Sequence, residues 1–375
     1  MIKVFVSYNW FTPAYKAGGP IQSLDSMVKH LGDTFNFCVF CSDRDHDRSQ
    51  LKVQPNTWVS YVNSEVFYAS KNFLKIFNVG KLIKEKQPTV IFINGLYSWY
   101  FNIIPLIRSK DIRKIVSVRG MLHPGALSQK PFKKKIYLTL WKLLKFHKKC
   151  EFHATTVEEK QYIEQVFGRE VTTWVAGNLP KVLDYHSPPQ KAKGTLVLVS
   201  IALISPMKNH LLVLESLRNV ASLIEYNIYG PIKDQGYWRQ CEAIIKILPS
   251  NVRVKYKGEV LPDSISDKLL DNHVFILPSK SENFGHAIYE ALSVGKPVIT
   301  SHNTPWNNLE VLKSGINVEL QSHQELTNAI EFFASMNNEE FVNWSRCAKS
   351  YASKTVNIDV VHEQYKTMFE DRKCL

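Results

Sequence analysis

The stretch LPSKSENFGHAIYEALSVGKPVI, at residues 277–299, reads as the end of a strand, a polar loop, a short helix and the start of another strand. The apolar run ends at Pro278, and a helix is predicted from about Phe284 until Gly295 and Pro297 stop it. In open α/β sheets, ligands bind beyond the carboxyl ends of the strands, where a helix N-terminus offers N–H groups and partial positive charge to a phosphate. The stretch therefore predicts a phosphate-binding turn in a parallel α/β domain.

Polar residues within this stretch indicate what else the turn could bind. Gly285 lets a ligand approach the backbone closely, while His286, Glu290 and Ser293 form a narrow polar stripe on an otherwise apolar helix. Glu282 and Glu290 bracket the helix N-terminus, and carboxylates accept hydrogen bonds from the hydroxyls of a sugar or ribose. The alternative is a pair of surface glutamates, but the surrounding pattern favours the binding role.

The same alternation of strands and helices extends along the 375-residue chain, a length that favours two domains. The polar linker 186–194, with two prolines, separates two α/β halves, and continuously apolar strands such as Val274–Leu277 are typical of parallel sheets. We therefore predict two Rossmann-like, doubly wound domains that face a cleft, 1–185 and 195–355, with a C-terminal helix at 356–375 crossing back. The predicted strands are Ile2–Ser7, Phe37–Cys41, Thr57–Tyr61, Val90–Asn94, Ile115–Val118, Val171–Val175, Thr195–Ile201, Tyr226–Tyr229, Val252–Tyr256, Val274–Leu277 and Val298–Thr300.

Composition limits the class of protein. Hydrophobic residues make up 45% and charged residues 22%, which excludes collagen-like and mainly disordered chains. The most apolar stretch, Leu96–Ile107, is shorter than the roughly 20 residues that span a bilayer. Met1–Ser7 is predicted to be a strand rather than a signal-peptide core, and we therefore expect a cytoplasmic location.

Cysteine spacing argues against a metal site. Of the six cysteines, only Cys38 and Cys41 are close in sequence, and both lie in one apolar run. Residues three apart in a strand point to opposite faces, so we expect two buried, reduced thiols.

Positive charge is concentrated in one segment. The net charge is +13, and residues 108–149 contain thirteen Lys and Arg against one acid, Asp111. This 42-residue segment therefore carries nearly all of the excess positive charge. Such a local concentration of charge indicates an acidic partner for this segment rather than a generally basic protein.

The second half of the basic segment has helical spacing. One apolar stripe is predicted to pack against the domain core, while Leu138 and Trp141 fall among lysines on the other side. The stripe comprises Ile136, Leu140, Leu143 and Leu144. The lysines are Lys134, Lys142, Lys145, Lys148 and Lys149.

A basic face that contains Leu and Trp predicts binding to an anionic membrane surface through Lys133–Lys149. A solvated helix and a nucleic-acid site are the alternatives. The sequence has no zinc-finger, RNA-recognition or basic-zipper pattern, so no nucleic-acid partner is expected.

The stretch at 277–299 closely resembles the retaining glycosyltransferases of family 4, which have the GT-B fold. Their mark is two glutamates separated by seven residues, here Glu282 and Glu290, followed by Gly-Lys-Pro-Val, here Gly295–Val298. Five further segments resemble bacterial members that build surface polysaccharides of the O-antigen or capsule type. They are Pro13–Pro20, Arg119–Leu122, Phe152–Thr156, Ser205–Asn209 and Thr304–Trp306.

The resemblance implies that the C-terminal domain binds a nucleotide diphosphate sugar. Glu282 would contact hydroxyls of the transferred sugar, and Glu290 would hold the nucleotide ribose. Lys208 would contact the diphosphate, as would the backbone N–H groups of Phe284 and Gly285.

In the N-terminal domain, the resemblance implies that Gly18 and Gly19 let the first loop close over the phosphates and that Arg119 faces the reacting sugar or the acceptor. Two positions depart from the family pattern. Leu203 stands where relatives usually carry an Arg, and Arg119 stands where a His is common, with His123 nearby.

Asp43-Arg44-Asp45 fits the Asp-x-Asp pattern that binds a metal in the other major glycosyltransferase fold. Short motifs have many false positives, so we interpret Asp43 and Asp45 as a solvated acidic loop and predict no metal and no cofactor besides the donor.

The resulting prediction is a transferase at the inner face of the membrane, peripherally bound. It would move a sugar with retention to a lipid-linked, lipopolysaccharide or capsule acceptor. A phosphorylase or epimerase of the same fold is less favoured. A non-catalytic or degenerate sugar-nucleotide or lipid-binding protein is the alternative that Leu203 keeps open.

Overall fold

The computed structural model describes residues 1–181, 183–185 and 187–371. The first position of the predicted linker, the last four residues of the predicted C-terminal helix and Cys374 therefore lie outside the described residues. The chain divides into an N-terminal unit, Met1–Leu179 with Ile358–Leu375, and a C-terminal unit, Pro180–Asn357.

The N-terminal unit is built on an eight-stranded sheet. Its elements are β1 (Lys3–Ser7), α1 (Gly19–Leu31), β2 (Asn36–Ser42), β3 (Trp58–Tyr61), β4 (Ser64–Ala69), α2 (Ile76–Lys86), β5 (Val90–Asn94), a π-helical turn (Trp99–Ile103), α3 (Ile104–Arg108), β6 (Arg113–Ser117), α4 (Pro124–Leu127), α5 (Pro131–Leu143), β7 (Glu151–Ala154), α6 (Val157–Phe167) and β8 (Thr173–Val175). The strand order is β3-β4-β2-β1-β5-β6-β7-β8, and every pair is parallel except β3 with β4.

The C-terminal unit is built on a six-stranded, wholly parallel sheet in the order β11-β10-β9-β12-β13-β14. Its elements are β9 (Thr195–Ile201), α7 (His210–Ser216), β10 (Leu223–Tyr229), α8 (Gln235–Ile245), β11 (Val252–Tyr256), α9 (Ile265–Leu270), β12 (Val274–Leu277), α10 (His286–Ser293), β13 (Val298–Ser301), β14 (Gly315–Val318), α11 (His323–Ser335) and α12 (Asn338–Thr355). The last helix of the chain, α13 (Ile358–Glu370), packs Val361, Tyr365, Met368 and Phe369 into the core of the N-terminal unit.

The eleven predicted strands are all present, and the fold class of two parallel α/β domains is confirmed. Three strands were not predicted. β7 contains the polar residues Glu151 and His153, so its sequence lacks the apolar run that predicts a buried strand. β14 is a short edge strand that begins at Gly315, a residue type that is uncommon in strands. β4 contains the apolar run Val66–Tyr68 and could have been found.

The two thiols of β2 face opposite sides of the sheet, as the spacing predicts. Cys38 lies in one apolar core of the N-terminal unit and Cys41 in the other, and both side chains are buried. Burial raises the pKa of the Cys38 thiol to about 11, so the neutral form is favoured.

The prediction for the faces of α5 is wrong. Leu138 and Trp141, which were expected among exposed lysines, are 8% and 2% exposed. The ring of Trp141 instead packs against the rings of Phe146 and Phe167, at 5.7 and 5.8 Å. The stripe that was expected to pack inward is exposed. Both faces of this helix are apolar, and burying the large indole ring excludes more apolar area from water.

Membrane-spanning character is not found in the described part of the chain. None of its helices combines the length and the hydropathy that crossing a bilayer requires.

Candidate active site

The C-terminal sheet has a topological switch point between β9 and β12. Strands added after β9 run first to one side, through β10 to β11, and then to the other, from β12 to β14. Loops that leave two neighbouring strands in opposite directions open a crevice at their carboxyl ends, where doubly wound folds bind ligands. The loop after β9 carries Lys208 and the loop after β12 carries Glu282.

Lys208 and Glu282 form an ion pair across this switch point. The Nζ atom of Lys208 lies 2.5 Å from Oε1 of Glu282, and Ser279 Oγ donates to the same oxygen at 2.6 Å. The backbone joins the two loops as well, because Lys280 N donates to Met207 O at 2.8 Å. Of the predicted donor-binding residues, the structure therefore brings these two into direct contact.

The start of α10 is shaped by Gly285 and Trp306. Gly285 precedes the helix with φ 77°, a left-handed conformation that favours glycine, and an added Cβ would lie 3.1 Å from Nε1 of Trp306. Trp306 Nε1 donates to the carbonyl of Phe284 at 2.5 Å, and the two rings are in contact at 5.5 Å. Trp306 thereby fixes the backbone at Phe284 and Gly285, where N–H groups at the helix start lack intrahelical acceptors.

Glu290 is a buried carboxyl group on α10. Its side chain is 2% exposed, and burial raises its pKa to about 7, opposed in part by the charge of Lys181. His286, one turn earlier, is 9% exposed. Of the predicted polar stripe, His286 and Glu290 are therefore covered and Ser293 is half-buried. Glu290 changes charge near neutral pH.

The Gly-Lys-Pro-Val segment has a structural role. Gly295 adopts φ 75°, and a Cβ there would lie 2.5 Å from the Tyr185 ring. Lys296 is fully buried, and its Nζ donates to the carbonyls of Leu270 and Asn272 at 3.0 and 2.7 Å. Burial lowers its pKa to about 8. This lysine joins the turn after α10 to the turn before β12.

The position that departs from the family pattern, Leu203, is half-buried in the loop after β9. It supplies no charge, and Lys208 is the basic side chain that this loop brings to Glu282. Arg119 belongs to the other unit.

In the N-terminal unit, the glycine-rich loop is held by Asp45. Tyr15 N and Lys16 N donate to the carboxylate of Asp45 at 3.0 and 3.2 Å. The loop ends at Gly18, whose φ of 80° precedes the first helical residue, Gly19. This carboxylate therefore sets the path of the loop for which closure over phosphates is predicted.

The prediction of a solvated loop at Asp43 and Asp45 is wrong. Both carboxylates are 4% exposed, and Gln50 Nε2 donates to Asp43 Oδ2 at 3.0 Å. Backbone N–H groups bind the Asp45 carboxylate. The Gln50 amide binds one oxygen of Asp43, while the other, Oδ1, has no hydrogen-bond donor among the described residues and lies 4.0 Å from Nε of Arg44. Within residues 1–181, 183–185 and 187–371, no three His, Cys, Asp or Glu side chains are grouped to hold a metal ion.

Arg119 follows β6 and is held by two amide oxygens. Its Nε donates to Asn94 Oδ1 and its Nη1 to Asn178 Oδ1, each at 3.1 Å. Ser23 Oγ of α1 donates to the same oxygen of Asn178 at 2.9 Å. The guanidinium therefore links the ends of β5 and β6 with the start of α1, and its acceptors are neutral.

The two histidines near Arg119 differ in their surroundings. His123 caps α4, where its Nδ1 accepts from Gly125 N at 3.1 Å, and its side chain is exposed. His153 is fully buried between Ser117 Oγ and the carbonyl of Ala176, and burial together with the charge of Arg119 lowers its pKa to about 3. His123 therefore does not replace Arg119 at the end of β6.

Several residues of these sites were not predicted. Ser279 lies inside the quoted stretch, but nothing in the sequence shows that its hydroxyl reaches Glu282. Asn94 ends a predicted strand, which is a signal for a ligand-side position, whereas Asn178 has no such signal.

The C-terminal unit matches a known protein family. Residues 183–350, somewhat under half of the chain, match the family model described as Glycosyl transferases group 1. A sequence comparison with curated proteins gives no match.

Solved structures resemble the chain over nearly its whole length. HepE from Anabaena, in complex with UDP and glucose, has a TM-score of 0.69 at 16% identity, covering 98% of this chain and 99% of that one. Sucrose-phosphate synthase from Thermosynechococcus elongatus has a TM-score of 0.69 at 14% identity, with 98% of each chain covered. WaaG, a glycosyltransferase involved in lipopolysaccharide biosynthesis, has a TM-score of 0.65 at 12% identity, covering 98% of this chain and 100% of that one. The chain therefore has the GT-B fold.

Proposed function

We propose that the protein is a glycosyltransferase of the family 4 type that uses a nucleotide diphosphate sugar. The observation that carries the proposal is the meeting of Lys208 and Glu282 at the switch point of the C-terminal sheet. The unit containing this pair matches the group 1 glycosyl transferases. A cation beside a helix start suits a diphosphate, and a carboxylate suits sugar hydroxyls.

The residue roles in this proposal follow the resemblance and the geometry together. Lys208 and the backbone N–H groups of Phe284 and Gly285 bind the diphosphate, while Glu282 contacts the transferred sugar and Glu290 the ribose. Lys208 is paired to Glu282, and entry of a diphosphate gives the lysine a second, more highly charged partner. The departing diphosphate gains negative charge during transfer, so Lys208 stabilises the transition state more than the ground state.

The first donor to test is a UDP-sugar, because HepE was crystallised with UDP-glucose and with UDP and glucose. The purified protein is incubated with radiolabelled UDP- and GDP-sugars and with membrane lipid as acceptor, and Glu282→Gln is the control. We expect the parent to produce labelled lipid and the variant to produce far less of it. Nucleotide binding without any transfer would favour the non-catalytic alternative.

We further propose retention of anomeric configuration and activity without a metal. Lys208 and the start of α10 supply the positive charge that a metal supplies in other transferases. NMR of the product identifies the anomer, and activity is measured in EDTA. Loss of activity in EDTA that magnesium or manganese restores would contradict metal independence.

The proposed acceptor is lipid-linked or a lipopolysaccharide or capsule glycan, and the N-terminal unit is proposed to bind it, with Arg119 as a contributing residue. The proposed partner surface is an anionic membrane, contacted through Lys133–Lys149, on the cytoplasmic side. The concentration of positive charge in residues 108–149 supports this placement.

A further inference from the structure

An apolar stripe on α5 is exposed on the N-terminal unit. We define the α5 stripe as Phe132, Ile136, Leu140 and Leu143, which are 75%, 47%, 49% and 71% exposed. At 100° per residue these four side chains fall within about 80° of arc, which is one face of the helix. Exposed apolar side chains this close together are unusual on a protein surface that has no partner.

The orientation of the stripe is fixed by the opposite face of α5. Leu138 and Trp141 are buried in the core of the unit, and the hydroxyl of Tyr137 donates to the carbonyl of Leu96. Turning the stripe inward would expose Trp141, so the helix presents its stripe to the surroundings in the folded protein.

Lysines flank the stripe on both sides. Lys133 lies along one edge and Lys135 and Lys142 along the other, and all three side chains are exposed. Beyond the C-terminal end of α5, Lys145, Lys148 and Lys149 are also exposed. Of the thirteen Lys and Arg in residues 108–149, nine are exposed, so the surroundings of the stripe are strongly positive.

Exposed aromatic residues lie on the π-helical turn that follows a segment in contact with α5. Trp99 and Tyr100, on the π-helical turn, are 54% and 37% exposed. This turn follows Leu96 and Tyr97, and the ring of Tyr97 is 5.2 Å from that of Tyr137. Trp and Tyr are enriched at the boundary between lipid and water because their rings are amphipathic.

From these observations we propose that the α5 stripe inserts into the headgroup region of an anionic membrane, with the flanking lysines on lipid phosphates. Apolar side chains between lysines match both parts of such a surface. A second copy of the chain is a poorer partner, since it would bring two strongly positive surfaces together. The inference deepens the proposed membrane association and changes its apolar contact from Leu138 and Trp141 to the opposite face.

The test compares three variants in co-sedimentation with phosphatidylcholine vesicles, with and without phosphatidylglycerol. The stripe variant replaces Ile136, Leu140 and Leu143 by Ser, and the lysine variant replaces Lys133, Lys135 and Lys142 by Gln. The control variant replaces three exposed apolar residues of the other unit, Leu223, Ile247 and Val311, by Ser; they are 60%, 58% and 84% exposed.

We expect the parent and the control variant to bind anionic vesicles equally. The stripe variant should lose about tenfold or more in partitioning at every salt concentration, because the lost contribution is apolar burial. The lysine variant should lose most at low salt, because its lost contribution is screened as salt rises. Thermal melting of each variant shows whether it is folded.

Failure of the parent to bind anionic vesicles, or equal binding by the folded stripe variant, overturns the inference. Light scattering supplies a second criterion: a parent dimer that the stripe variant abolishes would assign the stripe to a second copy and equally overturn it. Binding of UDP to each variant is measured separately. Failure of the parent to bind UDP contradicts the donor site, whereas loss of vesicle binding by a variant that still binds UDP concerns only the α5 stripe.

Discussion

At the switch point of the C-terminal sheet, Lys208 pairs with Glu282, whereas at the end of β6 in the N-terminal sheet Arg119 is held by the neutral side chains of Asn94 and Asn178. The carboxylates of the two regions also differ in the donors that bind them. Glu282 accepts from the side chains of Lys208 and Ser279, while Asp45 accepts from backbone N–H groups of the first loop.

This difference separates groups that can change partner from groups that set backbone geometry. The side chains of Lys208 and Glu282 are 21% and 11% exposed, so a charged ligand can replace either partner without unfolding a loop. Releasing Asp45 would instead leave backbone N–H groups unpaired. We therefore expect substitutions at the first pair to act on the chemistry and substitutions at Asp45 to act on loop order.

The largest effect is expected for Lys208→Ala. Removing a cation from the leaving diphosphate should lower kcat by roughly 100- to 1,000-fold, as loss of a comparable charge-stabilising group does in other enzymes. Lys280→Ala is the matched control, because its exposed side chain belongs to the loop after β12 at the same switch point and its backbone bond to Met207 is retained. A Lys208 variant that keeps a tenth or more of the parent kcat would contradict this role.

The next effect concerns Glu290 and pH. Its pKa is about 7 in the folded state against an ordinary 4.5, so the folded protein binds more protons between these values and the free energy of unfolding falls as pH rises through them. The fall amounts to about 3 kcal/mol by pH 8. Glu290→Gln should remove it, and urea unfolding of both proteins at pH 5 and pH 8 measures the difference. Equal pH dependence in parent and variant would contradict the buried, neutral carboxyl group.

Ribose hydroxyls bind an ionised carboxylate better than a neutral one, so UDP binding near pH 6 should release a proton from Glu290. Calorimetry in two buffers of different ionisation enthalpy counts that proton. Glu290→Gln is the control, since protons released by UDP itself are common to both proteins. Equal proton release by both would place Glu290 away from the ribose.

The sequence predicted those parts of the molecule in which the local backbone conformation or burial requires a particular type of residue. Gly285 and Gly295 occupy left-handed conformations, and the apolar runs of β9 and β12 become central strands, so the motif around α10 was predicted close to its observed bounds. The face of α5 was not predictable from spacing, because apolar residues occur on both sides and only contacts with Phe146 and Phe167 decide between them.

The hydrogen-bond partners of the charged groups could not be predicted from the sequence either. Asp45 reaches Tyr15 across 30 positions, and Ser279 reaches Glu282 because of the path of one loop. Such contacts depend on tertiary placement rather than on local pattern. The expectation of a solvated Asp45 was wrong for this reason, because its donors Tyr15 N and Lys16 N are distant in sequence. Asp43 is buried as well, and its donor is the nearer Gln50.

A smaller effect is expected for Asp45→Asn. Loss of the charge weakens the hydrogen bonds from Tyr15 N and Lys16 N, so the free energy of opening the loop should fall by about 2 kcal/mol. Hydrogen exchange at residues 13–19 should become faster as a result. Asp47→Asn is the control, because Asp47 is exposed and binds the Lys16 side chain at 2.7 Å. Unchanged exchange at residues 13–19 would show that Asp45 does not order the loop.

The smallest effect is expected for Trp306→Phe, which tests whether backbone geometry also matters in the C-terminal unit. The variant loses the bond from Nε1 to the carbonyl of Phe284 but keeps a ring against Phe284, so Phe284 and Gly285 are less firmly placed. A cost of about 1 kcal/mol, or roughly fivefold in UDP affinity, is expected. Tyr351→Phe is the control, because its hydroxyl donates to the carbonyl of Asn307 at 2.9 Å rather than to that of Phe284. Affinity is measured by calorimetry, with thermal melting to compare stability. Equal losses of affinity in both variants would assign the effect to the loop after β13 rather than to the start of α10, and the diphosphate would then depend on Lys208 more than on the backbone N–H groups.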